Sequence, residues 1–222
     1  MTSGKKIVTV AVGLLLTGAT ISQSHAITIF DNGSPDLINA VGSDFNRTRE
    51  AADDFSLGAL GTTITDVHWW GVYDFGGSDV PASDDFTITI YDDALGAPDS
   101  VSFRTASLIG SVDRLLTGDS IVGFDVYEFQ ADIVPITLPA GVTFWLSIVN
   151  DTPTTVSDFA WATSAAGGGN SVQKREAGVW VPIDVELAFN LTATTAPVPE
   201  PTSLFLFVLG LAGLAAYRRF GA

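Results

Sequence analysis

The sequence contains no cysteine, and it has only ten basic residues against 25 acidic ones. Without cysteine the chain forms no disulfide and no thiol-based catalytic site, so a folded domain must be held together by its core. The formal net charge of −15 repels nucleic acid, which excludes a nucleic-acid-binding role and favours bound cations and high solubility. Carboxylates and aromatic rings remain as the candidate groups for ligand binding or catalysis.

Histidine is almost as scarce, with two residues in the whole chain. His25 lies in a candidate leader segment, which leaves His68 as the one histidine of the body. Zinc sites built on several histidines, and triads with a spare histidine, are therefore excluded. Because His68 precedes Trp69 and Trp70 in a strand-like stretch, the simplest interpretation is a residue on the face of a sheet.

The N-terminus has the pattern of a secretory signal peptide. Lys5 and Lys6 precede an apolar segment at residues 7–21, and the small residues Ser24 and Ala26 follow it. These are the two positions that a signal peptidase reads. We predict a signal peptide at residues 1–26, cleaved by signal peptidase after Ala26.

The C-terminus combines a proline-rich linker, a short apolar run and a basic end. Pro197–Pro201 cannot continue a strand or a helix, and the apolar run Leu204–Ala216 is followed by Arg218 and Arg219. As a helix this run spans only ~20 Å, whereas the hydrocarbon core of a bilayer is ~30 Å thick. We predict a single membrane-spanning helix whose contact with the membrane is transient, with both arginines on the cytoplasmic side.

The run Val198-Pro199-Glu200-Pro201, the apolar stretch and the pair Arg218-Arg219 resemble the PEP-CTERM sorting tail. The resemblance implies that residues 197–222 are recognised in the membrane by an exosortase, a partner similar to a cysteine transpeptidase. It also implies that the body is released or transferred to the cell surface, in a Gram-negative bacterium that makes extracellular polysaccharide. We expect a cut near Pro199–Thr202. The alternative is an ordinary C-terminal membrane anchor.

Between the two signals lies a body at residues 27–196, which we interpret as one domain. It contains all but one of the acidic residues and lacks four of the ten basic ones, so it is more acidic than the whole chain. Because the acids are scattered at turns, their number does not indicate disorder.

The body alternates between strand-like runs and turns, without a helical period. The runs are residues 27–30, 51–57, 64–73, 86–91, 107–116, 122–130, 136–138, 142–149, 159–162 and 185–192. Clusters of Gly, Asn, Asp and Pro separate them. This pattern predicts an all-β fold, an antiparallel β-sandwich with a jelly-roll-like topology.

Two turns are predicted from their composition. Thr117–Ser120 is expected to join a hairpin whose second strand has a bulge near Val126 and Tyr127. Pro139–Gly141 is expected to join the runs on either side of it into a further pair. Residues 36–50 are polar and show no clear pattern.

Three tryptophans are candidate carbohydrate-stacking residues. Period two places Trp70 and Trp145 opposite the apolar faces of their strands, and Trp180 follows a glycine-rich loop. An exposed indole ring can stack on the face of a sugar. The alternative is that all three rings pack in a core, as apolar residues at strand spacing usually do.

Several acidic doublets offer the oxygen ligands that Ca²⁺ prefers. Asp53 and Asp54 are the first candidates as ligands of a calcium ion, which is the one cofactor that the sequence suggests. No stretch matches the calcium-binding loop with its glycine and final glutamate. Carboxylates that are merely solvated at turns are the alternative.

No catalytic motif accompanies these residues. The sequence has neither a G-x-S-x-G elbow nor a phosphate-binding glycine loop, and Glu50, Glu128, Glu176 and Glu186 lie in no recognisable motif. We expect a non-enzymatic, exported surface or extracellular-matrix protein associated with extracellular polysaccharide or biofilm. The alternative is a polysaccharide-active enzyme, a glycoside hydrolase or lyase, on a sandwich scaffold.

Overall fold

The structure is a computed structural model that describes residues 26–74, 79–154, 156–175 and 178–194. All of them belong to one compact unit, His25–Thr195. The predicted signal peptide, apart from Ala26, and the predicted sorting tail at residues 197–222 lie outside the described residues. In the described part of the chain, no helix has the length and apolar character that crossing a membrane requires.

The described residues form thirteen strands and one short 3₁₀ helix, Phe45–Arg47. The strands are β1 Ala26–Asp31, β2 Pro35–Gly42, β3 Glu50–Ser56, β4 Thr63–Asp74, β5 Phe86–Asp93, β6 Pro98–Thr105, β7 Asp113–Ile121, β8 Phe124–Thr137, β9 Thr143–Asn150, β10 Asp158–Ser164, β11 Val172–Lys174, β12 Trp180–Pro182 and β13 Phe189–Thr194. Their β-branched and aromatic residues favour a pleated, half-buried surface.

The strands form two antiparallel sheets. In the first sheet the long strand β4 is central: β8 and then β7 lie on one side, and β13 and β10 share the other side. β1 pairs with β13 and β2 pairs with β10. The second sheet has the order β12-β11-β3-β9-β5-β6. Because the chain passes repeatedly from one sheet to the other, most neighbouring strands are distant in sequence, as in a jelly roll. The predicted antiparallel sandwich is confirmed.

The main core lies between the two sheets. On β4, the alternate residues Val67, Trp69 and Tyr73 face it and are buried, as period two predicts. Trp69 packs edge-on against Phe86 of the second sheet, with ring centroids 5.0 Å apart, and stacks on Phe129 at 5.5 Å. Aromatic contacts of this kind join the two sheets.

A smaller apolar cluster covers one end of the outer face of the first sheet. Ile121 and Val126, from the β7–β8 hairpin, are buried against the small side chains of Ala160 and Ala162 on β10. His68 and Trp70 of β4 are only half-buried. The outer face of the first sheet is therefore apolar and closed at one end, and accessible at the other.

The β7–β8 hairpin is confirmed, but its turn is not where composition predicted it. Thr117–Ser120 lies within β7, where the register shifts between Leu116 and Ser120, so the extra residues are in the first strand and not, as predicted, in the second strand near Val126 and Tyr127. The turn is Val122-Gly123, in which both residues have positive φ values of 51° and 89°. Two positive φ values fit the twist of adjoining strands.

The pairing predicted across Pro139–Gly141 is wrong. The strand before it, β8, belongs to the first sheet, and β9 after it belongs to the second. Backbone bonds explain the crossing, since Leu138 donates to the carbonyl of Thr62 and Gly141 donates to that of Leu57. The glycine-containing turn is therefore a crossover between sheets and not a hairpin.

Candidate functional site

A groove opens on the outer face of the second sheet, which we call the outer groove. It lies over Asp54 of β3 and Trp145 of β9, which are cross-strand neighbours. Asp93 of β5, Thr143 of β9 and the loop residues Asn170 and Asp184 complete its polar lining. No Lys or Arg lines the groove among the described residues, so its charge is negative.

Trp145 forms the floor of the outer groove and is buried, with 3% of its surface exposed. The sequence placed this ring correctly on the outer face, and of the two alternatives stated for it, exposed or packed, the structure shows a packed ring. Tyr91 and Val172 pack around it in a small cluster of their own. The indole Nε1 donates to Oδ1 of Asp93 at 2.9 Å, which fixes both side chains.

Trp180 of β12 lies beside this cluster and is half-buried. Its ring meets Tyr91 edge-on, with centroids 5.7 Å apart, and Nζ of Lys174 lies 4.9 Å from its centroid. Lys174 is itself held by Glu50, with 2.5 Å between Nζ and Oε2. These contacts leave part of the Trp180 ring accessible in one fixed orientation, which is the condition for stacking on a ligand.

Glu50 connects the residues around this aromatic cluster by hydrogen bonds and an ion pair. Its Oε1 accepts hydrogen bonds from the Tyr91 hydroxyl at 2.6 Å and from Oγ of Ser147 at 2.9 Å. Burial, followed by the hydrogen bond and the negative charge of Glu50, raises the pKa of Tyr91. Tyr91 therefore stays a neutral hydrogen-bond donor, and the carboxylate of Glu50 is engaged by three partners.

The surroundings of the Asp54 carboxyl group disfavour its ionised form. Burial raises its pKa, and the negative charges of Glu186 and Asp93 add to that effect, while a hydrogen bond from Asn170 opposes it. Ligand hydroxyl or ammonium groups would relieve this crowding by donating hydrogen bonds. An anionic ligand would increase it.

Asp53, the other predicted calcium ligand, points the opposite way. Its cross-strand neighbour is the core residue Leu146, whereas Asp54 opposes Trp145 on the outer face. Asp53 is fully buried and its Oδ2 accepts from Asn32 Nδ2 at 2.9 Å and from the Leu187 amide at 2.6 Å. The structure does not bring the doublet together, because successive side chains alternate across a strand.

No group of three or more histidine or acidic side chains has an arrangement suited to a metal ion in the described parts of the body. Asp53 is a buried carboxylic acid whose protonated form is favoured. Burial, together with the charge of Glu186, raises its pKa to about 8.

Trp70, the third predicted stacking residue, lies on the other sheet. It is half-buried on the outer face of the first sheet, where it pairs with Glu128 of β8. His68 precedes it on the same face, as the sequence predicted, and its Nε2 lies 2.7 Å from Oδ1 of Asp66. The hydrogen bond with Asp66 raises the pKa of His68, and burial only partly opposes this.

Residues 197–219 match the family model of the PEP-CTERM protein-sorting motif. The chain carries a PEP-CTERM sorting motif. The match includes the predicted run Val198-Pro199-Glu200-Pro201 and the pair Arg218-Arg219. The motif marks an exported protein that an exosortase processes, with the cell envelope or surface as its destination.

The chain is similar to a solved structure, that of the cysteine protease and lectin-like domains of Cwp84, a surface layer associated protein of Clostridium difficile. The identity is 13% and the TM-score 0.46, over 67% of this chain and 33% of that one. The chain thus spans about a third of that structure's length, and the similarity is too low to support a functional argument. The comparison with curated proteins found no match.

Several residues in or beside the outer groove were not predicted from the sequence. Lys174 lies beside the predicted Trp180 because β11 and β12 form a hairpin of two three-residue strands in which these two residues are paired. Such short strands have no readable alternation. Asp184 and Asn170 lie on loops, and no pattern in the sequence indicates that they belong to a site. Asp93 belongs to an acidic doublet, so composition alone could have drawn attention to it.

Proposed function

We propose that the exported body is a non-enzymatic protein that binds extracellular polysaccharide at the cell surface or in a biofilm matrix. The outer groove is the observation that carries the proposal. Trp145 and the carboxylates of Asp54 and Asp93 line this groove, and the fixed, partly accessible ring of Trp180 packs beside it against the aromatic cluster of Trp145. Aromatic faces stack on sugar rings, and carboxylates accept hydrogen bonds from sugar hydroxyls.

The charge of the outer groove favours neutral or amino sugars over uronic acids. Asp54, Asp93 and Asp184 line it, and the pKa of Asp54 is raised by burial and further by the negative charges of Glu186 and Asp93. A uronate would add to that surplus, whereas hydroxyl and ammonium groups would donate hydrogen bonds to it. The sorting motif delivers this groove to the side of the membrane where such polymers lie.

A polysaccharide-active enzyme is the second candidate, and one observation favours it. Asp54 has a raised pKa and faces the charge of Asp93 in an open groove, as an acid and its partner carboxylate do in glycosidases. Against this role, Asp93 is committed to the Trp145 indole and to the Gly96 amide. A binding role is compatible with these bonds, because a carboxylate has further lone pairs with which to accept from a sugar hydroxyl.

The test uses the exported protein purified from producing cells. It is passed through gels containing neutral, amino or uronic polysaccharides, and the flow-through is assayed for new reducing ends. We expect retention by neutral or amino polymers without product. Release of oligosaccharides would identify an enzyme, and passage through every gel without retention would overturn the proposal.

A matched pair of variants places the site. Trp180→Ala removes the accessible ring and should weaken retention about tenfold, as expected for an aromatic contact worth ~1 kcal/mol or slightly more. Val179→Ala changes the exposed neighbour of Trp180, outside the aromatic cluster, and should bind as the unaltered protein does. Equal loss of retention in both variants would show that the binding site is not at the outer groove.

A further inference from the structure

The accessible end of the outer face of the first sheet is polar, and we call it the His68 face. Three rows of cross-strand neighbours form it: Thr192 with Asp66, Asn190 with His68 and Gln130, and Trp70 with Glu128. All of these side chains point away from the core, because Val67, Trp69 and Leu191 between them point into it. The His68 face therefore lies on the side of the sandwich opposite the outer groove.

Asp66 organises the centre of the His68 face. Its Oδ2 accepts from Nε2 of Gln130 at 3.0 Å, and its Oδ1 lies 2.7 Å from Nε2 of His68. The other imidazole nitrogen is 3.8 Å from Oε1 of Glu128. The imidazole ring and the amide of Gln130 are thus held in place by one buried carboxylate.

One buried oxygen atom on this face has unused hydrogen-bonding capacity. Thr192 is 6% exposed, and its Oγ1 forms no hydrogen bond, whereas both oxygens of Asp66 are engaged by His68 and Gln130. Buried polar atoms almost always have a partner, so the Thr192 hydroxyl indicates a ligand that brings a hydrogen-bonding group to the face.

The remaining residues define the chemistry of that ligand. Trp70 offers part of an indole ring beside the polar rows, while Glu128 and Asp132 add negative charge next to His68. This combination suits a polyhydroxylated ring that is neutral or carries an ammonium group. Uronates and other anions are repelled.

We propose that the His68 face is a second carbohydrate-binding site, selective for neutral or amino sugars. This inference rests on the proposed function and extends it, since sites on opposite faces of one sandwich let a single molecule bind two polysaccharide chains. The protein then acts as a cross-linker of the matrix and not only as a coat on it.

The test is calorimetric titration of the exported protein with cellohexaose and with a chitosan hexamer, and oligogalacturonate is the anionic control. We expect two hexasaccharides per chain for at least one of the first two probes. Trp70→Ala and Trp180→Ala should each reduce the stoichiometry from two to one. Ile38→Ala, at an exposed position of the edge strand β2, which lines neither site, should leave it at two.

Trp70 also packs against the apolar cluster beside it, so its removal could weaken the fold as well as the binding. A second variant separates these two effects. Gln130→Ala changes an exposed side chain and should weaken the site on the His68 face at least several-fold while the other site is unchanged. Mixing with long polymer gives a further readout: the unaltered protein should make the solution turbid, and Trp70→Ala should bind without turbidity.

The outcomes separate the two proposals. One hexasaccharide per chain, with normal binding by Trp70→Ala and Gln130→Ala, would overturn the second site and leave the outer groove standing. Two sites that both survive these substitutions would also overturn it. Absence of any binding by the unaltered protein would overturn the proposed function itself, and this inference with it.

Discussion

Asp53 is a carboxylic acid enclosed between the sheets, where its pKa is raised to about 8 by burial and by the nearby charge of Glu186. An aspartate in an unfolded chain ionises near pH 4. Between these values the folded protein keeps a proton that the unfolded chain releases. The free energy of unfolding should therefore fall as the pH rises from about 4 to about 8, and level off above that range.

Asp53→Asn tests this dependence on pH. The amide keeps the size of the side chain and an oxygen that accepts from the Leu187 amide, but it cannot ionise. We expect urea denaturation of the unaltered protein to show a loss of up to ~1 kcal/mol per pH unit between pH 5 and pH 8, and the variant to show a flatter curve. Asp119→Asn, at an exposed position, is the control. Parallel curves for Asp53→Asn and the unaltered protein would contradict the assigned pKa.

The residues of the candidate site show what a sequence can predict at this scale. Period two placed Trp70 and Trp145 on outer faces correctly, because the pattern depends only on the strand that contains them. It could not predict that Trp145 is buried, since Tyr91 and Val172 reach it from two other strands. Likewise, adjacent carboxylates such as Asp53 and Asp54 suggest a shared ligand, although a strand points them apart.

Among the elements, β4 depends on close approach to its neighbour β10. A Cβ atom on Gly71 would lie 2.3 Å from Cε2 of Phe159 and 2.7 Å from the carbonyl oxygen of Ala160. The second contact is with backbone and cannot be relieved by a rotamer change. Gly71→Ala should therefore lower the free energy of unfolding by ~1–3 kcal/mol, as overpacking does.

Chemical denaturation of Gly71→Ala beside Gly58→Ala gives the comparison. A Cβ atom on Gly58 would have no other atom within 4 Å, and this glycine lies in a connecting segment after β3. Its substitution should be neutral or slightly stabilising, because alanine restricts the unfolded chain. If the two variants were equally stable, tight packing of β4 against β10 would be excluded.

The turn of the β7–β8 hairpin contains a residue poorly suited to it. Val122 has a φ of 51° and is 78% exposed, so its branched side chain strains the backbone and gains little from packing. Val122→Asn should raise the free energy of unfolding by ~1 kcal/mol, because Asn-Gly is favoured at this turn. A thermal melt should show a higher Tm. Val101→Asn, an exposed change within β6, should not raise it.

The strands that were best predicted from the sequence turn alternate residues towards the core. β4, β9 and β13 present alternating residues to the core and were predicted within a few positions. β2 and β6 were missed because they lie at sheet edges and most of their side chains are accessible. Without a buried face, nothing in a strand's sequence distinguishes it from a polar loop.

For the molecule as a whole, the sorting motif predicts a measurable loss of mass. We expect the exported protein to be cut near Pro199–Thr202, so that its intact mass lacks the segment with Arg218 and Arg219. Replacing both Pro199 and Pro201 by alanine should block the cut, since an extended proline-stiffened linker is accessible to an enzyme. Pro139→Ala, at an exposed position of the body, is the control. An exported form that keeps the full C-terminal mass would show that the tail is a permanent anchor.

The pairing of β1 with β13 has a consequence for the timing of export. In the described residues β1 pairs only with β13, and Ala26 lies opposite Thr194. During passage across the membrane β1 therefore has no strand to pair with until β13 has emerged. The sorting motif follows that strand directly at residue 197. Closure of the sandwich and arrival of the sorting signal are thus nearly simultaneous, so the substrate reaches its processing enzyme at the moment when its fold can first be complete.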